Sequence, residues 1–379
     1  MANPNAVVTH VLPFPPAGRR VPAGATEGSR RFEIALVDGR RVRLDPADPR
    51  SGPRLGLLHD LGERGIPVYL EIDPGQGLVT RVLIPLVVRV VDLRSGADGA
   101  LEIGLHPSHA RHRLAADHPD REELVAALRA AHRSGELVAV TRDDDGTLVD
   151  VRAFRPSPDG PDLPVPGLPV RPRFDWRHPL RSLRDLRARL WYWRWWPWWW
   201  CWWWRCVSPA RAQQLFDAMK ATGCPPLTVP APCIPFLYPE DGCWARAHEM
   251  RRLMLALGHG SRKIWIHGAL RTPTRNSPQC EVHWGWHVAP TLCVRRWLLF
   301  ARRLVIDPSL FDTPVTRAVW KGIQGDPSAA LTDTHGSLYL FPGTTDPDHS
   351  GTSYYLAFYR AQLQNRAISL GPPPYAHCP

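Results

Sequence analysis

Ile234-Pro-Phe-Leu-Tyr-Pro-Glu-Asp-Gly-Cys-Trp-Ala-Arg-Ala-His-Glu-Met-Arg-Arg252 is the stretch on which the reading of this chain turns. Pro239 and Asp241-Gly242 are loop and turn signals. After them Trp244, Ala247, Met250, Met254 and Leu257 mark one apolar face of a helix that stops at Gly258. The spacing predicts Cys243 in the first turn of that helix. A helix N-terminus favours negative charge, so it lowers a thiol pKa, and its free N–H groups point to where an oxyanion can sit. Position alone leaves two roles open for Cys243, a nucleophile or a buried structural thiol.

A nucleophilic thiolate needs a base, and the base needs an orienting partner. Val282, Trp284, Trp286 and Val288 alternate as in a strand, which predicts His283, Gly285 and His287 on its opposite face. A second strand, Leu304-Val-Ile, ends at Asp307-Pro308, where a carboxylate can hold an imidazole on a neighbouring strand. Cys, His and Asp in this order, on helix, strand and strand, predict an α+β fold. Its C-terminal domain would be papain-like or transglutaminase-like, with the Cys-bearing helix packed on an antiparallel sheet. Other assignments compete. His283 could stand in for His287. His248, five residues after Cys243, falls on a different helix face and suits packing. Cys280, His283 and His287 have the spacing C-x2-H-x3-H, but zinc wants a fourth ligand and no second close cluster is evident.

Ile234-Pro-Phe, Tyr238-Pro, Asp241-Gly-Cys, Ala245-Arg-Ala-His248, Met250-Arg251, Trp286-His-Val-Ala289 and Ile306-Asp-Pro-Ser-Leu-Phe311, followed by Pro314-Val-Thr316, resemble the bacterial protein-glutaminase (protein-glutamine deamidase) family. The resemblance implies a transglutaminase-like fold and hydrolysis of the γ-carboxamide of protein-bound glutamine through a thioester. It carries the nucleophile onto Cys243, the base onto His287 in its Trp-His-Val-Ala setting, and the orienting acid onto Asp307. Partners would be protein or peptide substrates bearing glutamine, with no cofactor and no metal. Transglutamination and peptide-bond hydrolysis share the acyl-thiol step and are the enzymatic rivals. Tyr238, Trp244 and Trp286 either wall the cleft or belong to the core.

Upstream, residues 31–155 read as a β-rich accessory or pro-region domain with no catalytic constellation. Phe32 to Leu44 forms a hairpin about Asp38-Gly39, and Leu78 to Leu93 is a long β-branched run. Leu124, Ala127, Leu128 and Ala131 give one helix, and two more strands meet across Asp145-Gly146. Residues 1–30 read as a disordered tail without the apolar core of a secretory signal, and residues 207–379 as the catalytic domain. Between the two halves, residues 156–206 form a Pro-rich linker and a basic segment.

That segment holds nine Arg against two acids from Arg171 to Arg205, so most of the formal +11 charge is local. A nucleic-acid partner, which needs a basic face on a folded domain, is not expected. Ten Trp crowd into residues 191–204, and residues 177–205 suit either a membrane surface or packing against a neighbour. A membrane-active protein using this tract is the rival from outside enzymology. Of the eight cysteines, Cys243 must stay free to be a nucleophile, so the other seven cannot all pair within the chain.

Overall fold

A computed structural model describes residues 5–12, 32–96, 98–156, 163–167, 206–229, 232–297 and 300–379. The segment 177–205, with both readings of its Trp and Arg residues, lies outside the described residues. Among the described residues no helix is long and apolar enough to cross a membrane.

The fold is α+β, built on antiparallel sheets with few helices. In the upstream half the elements are β1 (Ala6–Thr9), β2 (Glu33–Ala35), β3 (Arg41–Arg43), α1 (Ser51–Glu63), β4 (Val68–Ile72), β5 (Val79–Leu83), β6 (Leu86–Ser95), β7 (Leu101–His106), β8 (His112–Leu114), α2 (Arg121–Ser134), β9 (Val138–Arg142) and β10 (Leu148–Ala153). They form a three-stranded sheet in the order β1-β4-β5, a five-stranded sheet β10-β9-β6-β7-β8 and the β2-β3 hairpin. The hairpin turns on Gly39, whose φ of 84° suits glycine. The run from Leu78 is two strands, because Pro85 has no N–H to give a ladder. The tail expected to be unstructured contains β1, which pairs with β4 and buries Val7.

Downstream come α3 (Pro209–Ala221), α4 (Cys243–Ala256), β11 (Arg262–Pro273), β12 (Glu281–Trp297), β13 (Phe300–Val305), β14 (Val315–Thr316), α5 (Arg317–Gly322), β15 (Ala330–Thr334), β16 (Leu338–Leu340), β17 (Thr344–Thr345) and α6 (Ser350–Leu370). The five-stranded sheet runs β14-β13-β12-β11-β15, and α4 packs on its long strand β12. One hydrophobic core runs through both halves, from Val7 and Leu58 to Trp244 and Leu363. Helix α6 contributes to it against both α1 and α4. Six of the seven described cysteines pair as Cys206–Cys293, Cys224–Cys233 and Cys280–Cys378, and Cys243 is the free one among the seven. Cys201 lies outside the described residues. Cys280 is thus consumed by a disulfide, which removes it from the C-x2-H-x3-H metal reading.

Strand β12 does not alternate throughout. Opposite Gly285 the partner strand β11 carries two residues, Gly268 and Ala269, between His267↔Trp286 and Leu270↔Trp284. Such a bulge shifts which face later side chains take. Trp284 therefore faces the same core cluster as Val282 and Ala289, whereas Trp286 and Val288 turn to the core under α4. His287 stacks on Trp284 at 4.4 Å between ring centroids. The expected grouping of His283 with His287 fails for this reason. His283 is half exposed and bonded to Glu281 at 2.9 Å, so it cannot replace His287.

Candidate active site

Cys243 opens α4 directly after Gly242, which sits at φ 81°. A Cβ at Gly242 would lie 2.3 Å from the Tyr359 ring, so both conformation and space call for glycine there. The preceding loop is held from inside: Arg246 donates to the carbonyls of Tyr238 and Asp241. His287 and Asp307 come from adjacent strand regions. His287 Nε2 and Asp307 Oδ2 are 2.9 Å apart, and the indole N–H of Trp320 donates to the same oxygen at 2.9 Å. Burial works against a charge on Asp307, yet His287 and Trp320 hold its carboxyl below the usual range. With Nε2 engaged, His287 Nδ1 is the ring nitrogen left without a partner, and it is buried. A ring nitrogen of His287 lies within 4.8 Å of Cys243 Sγ. The structure thus brings Cys243, His287 and Asp307 together.

His248 lies elsewhere. Its Nδ1 is 3.1 Å from Lys263 Nζ, and its ring packs on Tyr339 and His349. Tyr238 and Trp244 are core, while Trp286 is half-buried and lines the cleft.

The upstream half supplies a residue that the sequence reading missed. Between β7 and β8, residues 108–111 lie antiparallel along β12 at its N-terminal end, beyond the stretch paired with β13. Ala110 bridges to Trp284, Arg111 N donates to His283 O at 3.0 Å, and Gly285 N donates to His109 O at 2.9 Å. This aims His109 at the thiol, with Nδ1 3.3 Å from Sγ. Three indoles, those of Trp244, Trp284 and Trp286, surround the His109 ring at 5.2–5.9 Å between centroids. Asp241 fastens the segment. It accepts from Ser108 Oγ at 2.6 Å and His109 N at 3.1 Å, and lies 3.0 Å from His109 Nδ1. The cleft continues on both sides. A volume of about 640 Å³ lies beside Trp265, His267, Trp286 and Phe341, and one of about 800 Å³ beside Arg111, Arg142, Glu240 and Glu281. A signal was present in the sequence: His106, His109 and His112 recur at three-residue spacing, from the end of β7 to the start of β8.

Burial outweighs the helix-end effect on the Cys243 thiol. It pushes the Cys243 thiol well up, with Asp241 adding to the rise and Arg246 opposing it. The expectation of a lowered thiol pKa is corrected for this covered state, in which Cys243 is a protonated thiol at neutral pH. Burial also lowers His109 to about 4 against the pull of Asp241, and His112 to about 3. Both are neutral when covered and titrate near 6.5 when free. The covered form therefore loses stability as pH falls from about 6.5 towards 4, and gains nothing from them above that window. Asp241, also held low, acts in the same direction but only below its ordinary range, so it adds nothing in this window. Hydrogen exchange should show this. Protection of the His109, Arg111 and Gly285 amides, corrected for intrinsic rate, is expected to be lower at about pH 5 than at about pH 7.5. Equal protection would mean that the histidines do not govern the cover.

Residues 212–324 match a family model described as Glutaminase. Among solved structures, a crystal structure of protein-glutaminase is 30% identical, with 46% of this chain and 97% of that one covered and a TM-score of 0.38. Protein-glutaminase from Chryseobacterium proteolyticum is 28% identical over the same shares, also at 0.38. A crystal structure of pro-protein-glutaminase is 20% identical, covering 78% of this chain and 99% of that one, with a TM-score of 0.47. No curated protein matches.

Proposed function

The chain belongs to the protein-glutaminase family through its C-terminal part, and on that premise we propose that it hydrolyses protein-bound glutamine to glutamate and ammonia through a thioester on Cys243. The observation that carries this reading is the position of His109 Nδ1, 3.3 Å from Sγ on a segment bound as an extra strand. Nδ1 is three bonds from its Cα. The δ-carbon of glutamine is also three bonds from its Cα. A glutamine whose backbone took the path of His109 would present its carboxamide carbon at near-attack distance. An asparagine carbon would fall one bond short. The substrate is thus an extended peptide crossing the same cleft and donating its glutamine N–H to Asp241.

In the open site, Cys243 thiolate attacks the carboxamide carbon. Its own backbone N–H, at the N-terminus of α4, faces the developing oxyanion. His287, with Nε2 on Asp307, uses Nδ1 to take the thiol proton and pass it to departing ammonia. It then activates the water that resolves the thioester. The rotation of His287 is fixed because Asp307 is itself fixed by Trp320.

The site is covered, and residues 106–112 are the cover. Ser108→Glu tests this. The new carboxylate would meet Asp241 where a 2.6 Å hydrogen bond now stands. Two buried carboxylates in contact cost on the order of 3 kcal/mol, about two decades in the open population. The variant should therefore alkylate at Cys243 and release ammonia from casein roughly 100-fold faster than the parent. Unchanged rates in a variant with parental circular dichroism would mean that the segment does not obstruct the site. Mass spectrometry of the casein separates the rivals: amine adducts would indicate transglutamination, and backbone cleavage a protease.

A further inference from the structure

The covering segment does more than fill the cleft, because it adds a third donor to the site. Cys243 Sγ and one ring nitrogen each from His109 and His287 lie within 4.8 Å of one another, and all three residues are buried. Sγ and His109 Nδ1 are 3.3 Å apart. A thiolate and an imidazole on one tetrahedral zinc, at about 2.3 and 2.0 Å from the ion, would stand ~3.5 Å apart. His287 Nδ1 has no hydrogen-bond partner although the residue is buried, and its other nitrogen is held by Asp307. Carboxylate on one ring nitrogen and metal on the other is the common arrangement of a metal-binding histidine.

We propose that the covered chain binds a soft divalent cation, zinc by preference, between Cys243, His109 and His287, and that the ion fastens residues 106–112 over the site. Thiolate and imidazole donors suit zinc better than magnesium or calcium, which prefer oxygen. On binding, the Cys243 thiol gives its proton to solvent and its sulfur forms the metal bond. His109 binds as a neutral imidazole with its proton moved to Nε2. Water takes the fourth position. Asp241, 3.0 Å from His109 Nδ1, and Asp307 balance the charge against Arg246.

The linkage follows. Once the segment leaves, two donors remain, so the ion binds the covered form far more tightly than the open one and stabilises it by mass action. Zinc would hold the chain latent, and a chelator would ease its opening. Zinc binding of this kind depends on the covered geometry alone and not on turnover.

Cobalt(II) is the probe, used on the full chain with disulfides intact and Cys201→Ser as background. One ion per chain is expected, with a sulfur-to-cobalt charge-transfer band and the visible intensity of a tetrahedral site, both displaced by one equivalent of zinc. Cys243→Ser should abolish the charge-transfer band. His109→Ala, which removes a ligand, should lose more than the roughly 10- to 100-fold typical of outer partners. Ser108→Glu keeps all three ligands and moves the segment, so it should weaken zinc and restore alkylation of Cys243 in zinc-treated protein. A charge-transfer band that survives Cys243→Ser, or zinc affinity unchanged in both His109→Ala and Ser108→Glu, would overturn the proposal. A chain that binds zinc in this way yet fails to deamidate would sink only the functional reading above.

Discussion

In the opened Ser108→Glu background, Cys243→Ala and His287→Ala should each lower ammonia release from casein by roughly 10⁴-fold or more. The two losses should not add, because thiol and imidazole act as one unit and either removal stops acyl transfer. Asp307→Asn is the more informative variant. Trp320 donates an N–H to Asp307 Oδ2 and would hold the amide oxygen of an asparagine in that place. His287 Nε2 meets that same oxygen, so the amide oxygen would go on accepting from it, and what is lost is the negative charge that stabilises the imidazolium. A loss of about 10² to 10⁴ in kcat with little change in KM is expected from the missing charge. If ammonia release survives Cys243→Ala, the nucleophile lies elsewhere; if Asp307→Asn raises KM alone, Asp307 contributes to binding and not to stabilising the imidazolium.

The parts of this site that were legible in the sequence are those set by local periodicity. The apolar stripe from Trp244 to Leu257 placed Cys243 at the start of its helix, and a strand stopped by Pro308 placed Asp307 within reach of His287. The grouping of His283 with His287 failed because the face of β12 changes at Gly285. That change depends on Gly268 and Ala269 of another strand, which no pattern within 282–288 records. His109 was missed for a different reason: it meets Cys243 from 134 residues away. Helix α1 was hidden by Gly52, Pro53, Gly56 and Gly62, residues that usually end helices, although Leu57, Leu58 and Leu61 are fully buried. For the Cys243 thiol, burial and the helix end oppose each other, and burial prevails. A helix end lowers a thiol pKa by a modest local field, while complete burial penalises the thiolate more.

His109→Gln, made in the full chain, turns the cover into a substrate. Glutamine at this position keeps the backbone bonds at 109 and places its δ-carbon where Nδ1 now lies, 3.3 Å from sulfur. The thiol is protonated while covered, so attack needs His287 Nδ1 to draw off the proton as the bond forms. The reaction should be slow but intramolecular, and independent of chain concentration. Peptide mapping should find one of two products at residue 109: glutamate, or a loss of ammonia with a thioester to Cys243 if the segment excludes the resolving water. His109→Asn should give neither, since its carbon is one bond short, and His109→Gln with Cys243→Ala should retain its amide. The glutamate product has a further consequence. Its carboxylate would replace a neutral imidazole 3.0 Å from Asp241. Like charges at that distance inside a buried site repel strongly, so the segment should leave and casein turnover should rise with the extent of conversion. Residue 109 remaining glutamine, in a variant whose amide exchange still reports the covered strand, would break the link between the His109 position and the glutamine subsite.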